Sequence, residues 1–123
     1  MTYIDGFVAA VPEANRAAYT GETRALGALF VECGALEVVD AWGDDVPEGV
    51  LTSFPRAVQR LEGEAVAFGW VLWPSKAARE AGWKKATADP RFAGMTPTNY
   101  DGKRMIFGGF EVIARTGKGD QHG

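Results

Sequence analysis

Four carboxylates stand inside runs of sequence that are otherwise largely apolar: Asp5, Glu37, Asp40 and Glu111. A carboxylate buried in such a run must find a cation or have its pKa pushed upward, and a raised carboxylate is a usable general base. Two readings are open. Either these groups contact a ligand or take protons, or they face arginines such as Arg104 and Arg115 at strand ends. A second chemical segment is Thr52-Ser53-Phe54-Pro55-Arg56, a connection stiffened by its proline. Arg56 offers a planar fork for a carboxylate or phosphate, the Ser53 hydroxyl lies beside it, and Lys103 and Arg104 supply a second cationic pair. The competing partner for Arg56 is the acidic turn at Asp44 and Asp45. Aromatic residues, Trp70 and Trp73 foremost, either line a ligand cavity or fill a core. The candidate ligand contacts are therefore Ser53, Arg56, Trp70, Lys103 and Arg104.

Other chemistries have little to build on. The chain has no glycine-rich phosphate loop, no nucleotide fingerprint and no histidine–carboxylate metal spacing, so neither cofactor nor metal is expected. The single histidine, His122, lies in a polar, glycine-rich tail, a poor place for a base that needs fixed orientation. The single cysteine, Cys33, excludes an internal disulfide, and its apolar helix face suits packing better than thiolate chemistry. Asp44, Asp45 and Glu48 crowd one turn but lack the glycine-punctuated loop of a calcium site.

Thirteen Lys and Arg against sixteen Asp and Glu leave a net charge of −3, which argues against nucleic acid as a partner. The longest apolar stretch, Ala65 to Trp73, is half of what a bilayer requires, and the N-terminus has no signal-peptide pattern. A cytoplasmic protein with no membrane partner is the expectation. At 123 residues, 46% hydrophobic and 24% charged, the sequence reads as one folded domain over 1–115 with a flexible tail over 116–123.

The elements that must carry these residues can be read from pattern and punctuation. Tyr3 to Val11 reads as a strand. Pro12 opens a helix that runs to about Cys33, with Gly34 as a left-handed cap. Ala35 to Ala41 is a second strand, followed by a long connection, and Glu64 to Trp73 is a third. Ser75 caps a second helix that ends at Asp89-Pro90. Arg91 to Lys103 reads as loop and Arg104 to Ala114 as the last strand. The order β-α-β-β-α-β, with right-handed crossovers, gives a four-stranded antiparallel sheet with two helices on one face, the ferredoxin-like α+β arrangement. The third and fourth strands are apolar on both faces, however, and two helices cover only one. The economical cover for the other is the same sheet of a second copy.

Tyr3-Ile4-Asp5-Gly6-Phe7-Val8, Gly34-Ala35-Leu36-Glu37, Asp44-Asp45-Val46-Pro47, Thr52-Ser53-Phe54-Pro55-Arg56-Ala57-Val58, Ala88-Asp89-Pro90-Arg91 and Asp101-Gly102-Lys103-Arg104-Met105-Ile106 together resemble the YbaA-like family. That is a group of small bacterial proteins of unknown function in the dimeric α+β-barrel superfamily. The resemblance spans Tyr3 to Ala114. It implies a ferredoxin-like protomer whose sheets pair face to face in a homodimer, and it implies no reaction. This chain has Cys33 where members often carry histidine, so no histidine chemistry carries over.

Three functions fit. The first is a homodimer that binds a small anionic or aromatic molecule. The second is a cofactor-independent oxygenase- or isomerase-like enzyme working with carboxylates in a dry aromatic cavity. The third is a structural or regulatory interaction module without ligand. A buried carboxylate that touches a cavity, rather than an arginine, favours the enzyme.

Overall fold

The structure, a computed structural model, describes residues 1–95 and 98–118; His122 and most of the predicted tail lie outside the described residues. Four strands, β1 (Tyr3–Pro12), β2 (Glu37–Trp42), β3 (Glu64–Trp73) and β4 (Ile106–Glu111), form one antiparallel sheet in the order β2-β3-β1-β4. The helices are α1 (Arg16–Glu32), α2 (Phe54–Ala57), α3 (Lys76–Ala88) and α4 (Pro90–Ala93). This is the ferredoxin-like α+β fold that the element order predicts. Among the described residues no helix is long and apolar enough to cross a membrane.

Differences from the predicted elements have local causes. The segment after Pro12 opens with a 3-10 turn, Glu13–Asn15, because Pro12 is extended (ψ 131°) and no side chain caps the turn. Gly34 does adopt positive φ, 117°, and the Ala35 amide donates back to Phe30, so β2 starts only at Glu37. The predicted connections at 52–56 and 91–103 contain one-turn helices. Each is started by a capping oxygen and a proline: Ser53 Oγ accepts from the Arg56 amide (3.1 Å) and Asp89 Oδ1 from the Arg91 amide (2.8 Å). The last strand starts at Ile106 rather than Arg104 because Asp101 caps a 3-10 turn at Gly102–Arg104, and it ends at Glu111.

The sheet has an inner and an outer face. The inner face packs under α1 and α3, with Leu29, Phe30, Val71, Trp73 and Ala86 in one cluster and Ala9, Val11, Tyr19 and Ala67 in another. Gly82 makes this seating possible: any Cβ there would collide with the Trp73 indole, so α3 approaches the sheet as closely as bare backbone allows. The outer face is covered at one end by the chain's own connection, where fully buried Val58 packs on Val8, Ala10 and Val66. Beyond Val58, Phe68, Ile106 and Phe110 stay open, at 40%, 44% and 58% exposure.

Candidate functional site

Between the inner face and the helices lies a cavity of about 540 Å³, within the usual range for small-molecule sites. Its walls are mainly apolar and aromatic, with Phe7 and Phe107 from the sheet, Leu26 and Phe30 from α1, Trp83 from α3 and Phe92 from α4. Tyr19 and Tyr100, ring centroids 5.5 Å apart and edge-on, stand at its wall. Burial raises the pKa of both phenols, and nearby carboxylates add to it, so both stay neutral across the physiological range.

Two carboxylates reach this cavity from the sheet, on strands that β3 separates. Asp5, on central strand β1, is saturated. Its Oδ2 accepts from Trp73 Nε1 and Trp83 Nε1, both at 2.9 Å, and its Oδ1 accepts from Arg79 Nε at 3.0 Å and Nη2 at 2.9 Å. Four donors on two oxygens fill the accepting positions of the side chain. The Arg79 guanidinium also pairs with Glu80 through Nη1 and lies 5.5 Å over the Tyr3 ring.

Asp40, on edge strand β2, is the opposite case. Its Oδ1 is buried and has no hydrogen-bond partner, alone in this among the described side chains. Burial pushes its pKa above the ordinary carboxylate value, and the Thr23 hydroxyl opposes the shift. Gly69, its partner in register on β3, leaves the room: a Cβ there would stand 2.8 Å from Oδ1 and 2.6 Å from the Phe7 ring. Asp40 also belongs to a shallow outer depression of about 380 Å³ between α1 and β2, and Thr23, Gly27 and Val38 border both spaces. The wall is thin because Gly27 has no side chain; a Cβ would come within 3.3 Å of Val38.

The other sequence-predicted residues lie elsewhere. Glu37 and Glu111 are exposed, because they sit at the first position of one edge strand and the last of the other. Trp70 is on the outer face, edge-on to Phe68 at 6.0 Å, since alternation along β3 sends Val71 rather than Trp70 toward the helices. Trp73 faces inward but is wholly buried. Arg104 is occupied by Glu64 (2.7 and 2.8 Å), Asp101 and the Gln59 carbonyl, and that pairing holds Glu64 below the ordinary carboxylate range. Lys103 is exposed and donates its amide to Asp101. Arg56 engages the acidic loop through its carbonyls, Glu48 O at 3.0 Å and Gly49 O at 3.4 Å, rather than through the Asp44 or Asp45 carboxylates. Ser53 is a helix cap. None of Ser53, Arg56, Trp70, Lys103 and Arg104 borders the cavity.

Sequence reasoning missed Thr23, Arg79, Trp83 and Tyr100. The available signal was α3 itself: Arg79 and Trp83 are four residues apart, hence on one helix face, above a strand that carries Asp5. Among the described residues, no three His, Cys, Asp or Glu side chains group closely enough to hold a metal ion.

The family described as "Protein of unknown function (DUF1428)" matches residues 2–102. "Uncharacterized protein YbaA" of Escherichia coli (strain K12) is 47% identical over 116 residues, covering 92% of this chain and 97% of that protein; the Shigella flexneri protein of the same name matches equally. Among solved structures, SnoaB, a cofactor-independent oxygenase from Streptomyces nogalater, superposes with a TM-score of 0.59 at 12% identity, covering 94% of this chain and 98% of that one. Rv0793 from Mycobacterium tuberculosis gives 0.58 at 11% identity, over 95% and 100% of the two chains. At such identities the likeness concerns the fold alone.

Proposed function

We propose, on the premise that this chain belongs to the DUF1428 family of proteins of unknown function, that its inner cavity binds a small aromatic molecule and that Asp40 takes a proton from it. The observation that carries this reading is the unpartnered Asp40 Oδ1. A buried polar atom without a partner is uncommon, and a ligand hydroxyl, amine or acidic C–H placed in the cavity supplies the missing donor. The raised pKa makes Asp40 a stronger base than a free aspartate. Neutral Tyr19 and Tyr100 at the wall are phenols suited to stabilise negative charge developing on the ligand.

Removal of a proton from carbon beside an aromatic ring is the opening step of both isomerisation and oxygenation. The oxygenase reading draws support from SnoaB, whose fold this chain shares, and requires dioxygen as co-reactant. A direct assay of the shared step uses 2-tetralone in D2O, with loss of the C1 proton followed by NMR. The wild type accelerates exchange over buffer, and Asp40→Asn lowers that acceleration at least tenfold. Equal acceleration by both proteins, or none by either, removes Asp40 from the role of base.

A second copy of the chain is the proposed cover for the open outer face, where Phe54, Phe68 and Trp70 stack edge to edge beside Ile106 and Phe110. Native mass spectrometry at micromolar concentration then reports twice the 13.2 kDa chain mass. A clean monomer rejects the dimer and leaves the cavity reading intact.

A further inference from the structure

We propose that the cavity selects for aromatic molecules that are neutral or positively charged and carry a hydrogen-bond donor, and that it rejects anionic ones. The inference rests on the cavity being the ligand site and adds the chemical class of what enters. Four charged side chains border it among the described residues: Asp5, Glu22, Asp40 and Arg79. Three are acids and one is a cation.

The cation is already paired. Arg79 bonds Asp5 through Nε and Nη2 and Glu80 through Nη1, so its single charge already faces two carboxylates before a ligand carboxylate or phosphate arrives. The nearby Arg24 faces the outer depression instead of the cavity. An anion entering therefore loses its hydration without a compensating charge and meets acids that are already there. Protonation of Asp40 does not reverse this, because Asp5 and Glu22 still outnumber Arg79.

A donor group has the reverse experience. Asp40 Oδ1 offers an unused acceptor, and the aromatic walls at Phe7, Tyr19, Tyr100 and Trp83 present ring faces and edges on which a flat ligand stacks. A protonated amine gains additional attraction from those rings. Phenols and arylalkylamines fit this description; aryl carboxylates and aryl phosphates do not.

Three probes that differ in charge and share one ring system test the idea: 2-naphthylmethylamine, 2-naphthol and 2-naphthoate. Binding is read at pH 7.5 by quenching of tryptophan fluorescence, since Trp83 borders the cavity, in 0.3 M NaCl to screen surface charge. The expected order of affinity is amine, then naphthol, with naphthoate at least tenfold weaker than naphthol. In Asp40→Asn the amine-to-naphthoate ratio narrows at least threefold. Naphthoate binding as tightly as naphthol, or an unchanged ratio in the variant, overturns the charge selection while the cavity remains a site. Absence of saturable binding by all three overturns the cavity reading and this inference together.

Discussion

The two aspartates of the cavity, Asp5 and Asp40, both stand on strands, and their surroundings make them different chemical objects. Asp5 is enclosed by two indole N–H groups and a guanidinium, with its side chain 13% exposed, and every lone pair has a donor. It ties β1 to β3 and α3, and its bonding capacity is spent on that. Asp40 stands on an edge strand against a glycine, and one oxygen faces no donor at all. The fold closes around Asp5 and leaves Asp40 unfinished. A satisfied buried acid is scaffold, and an unsatisfied one is where a ligand has something to add.

The contrast can be broken first at its scaffold end. Asp5→Ala strands two indole donors and a partly buried guanidinium, and is expected to cost about 3 kcal/mol, measured as a lower midpoint in urea. A loss below about 1 kcal/mol would mean that water replaces the carboxylate readily and that Asp5 is no keystone. Gly69→Ala attacks the other end by driving a methyl into Phe7 and Asp40 Oδ1. It should cost about 1–3 kcal/mol by overpacking and displace Asp40, so 2-tetralone exchange falls together with stability.

Smaller changes sharpen the comparison. Trp83→Phe removes one of the four donors to Asp5 while keeping the aromatic wall, with an expected loss of about 1 kcal/mol on denaturant titration. Asp40→Asn should do the opposite of Asp5→Ala and raise the melting temperature at neutral pH. Folding raises the Asp40 pKa, so the folded chain holds that proton more tightly than the unfolded chain. The stabilisation is complete below the unfolded value and is lost as pH rises through the folded one. Stability of the variant minus that of the wild type therefore grows from acid toward neutral pH across that window and then levels off. A difference that stays flat over the same range would show Asp40 to be solvated like a surface acid.

The fold was legible in the sequence because it rests on patterns that need no partner to interpret. Alternation and punctuation place four strands, Ser75 caps α3 as its position suggests, with Oγ accepting from Ala78, and Gly34 closes α1. The cavity was legible only in part. Asp5 and Asp40 stand out as acids among apolar neighbours, yet sequence cannot tell which acid meets an arginine, because that depends on how α3 seats on the sheet. Arg79 and Trp83 reach Asp5 from residues more than seventy positions away. Trp70 illustrates a different limit: in a strand apolar on both faces, alternation does not say which face is inward. The Ser53–Arg56 segment drew notice through its proline and charge, and both serve a one-turn helix and the loop carbonyls it holds.

Strand β1 pairs with β3 from Tyr3 opposite Trp73 and with β4 from Tyr3 opposite Glu111, so the sheet's central strand is made first and its partners arrive much later. The cavity floor joins Asp5, Gly6 and Phe7 to Phe107 and Gly108, two stretches separated by most of the chain. During synthesis, then, the ligand space cannot be complete until β4 has been made, long after β1 and β3 can pair. Closing loops of that length costs entropy before any contact is returned, so the β1–β4 pairing forms more slowly than the local helices. Removing β4 would leave β1 an unpaired edge and open the cavity on the side that Phe107 and Gly108 close.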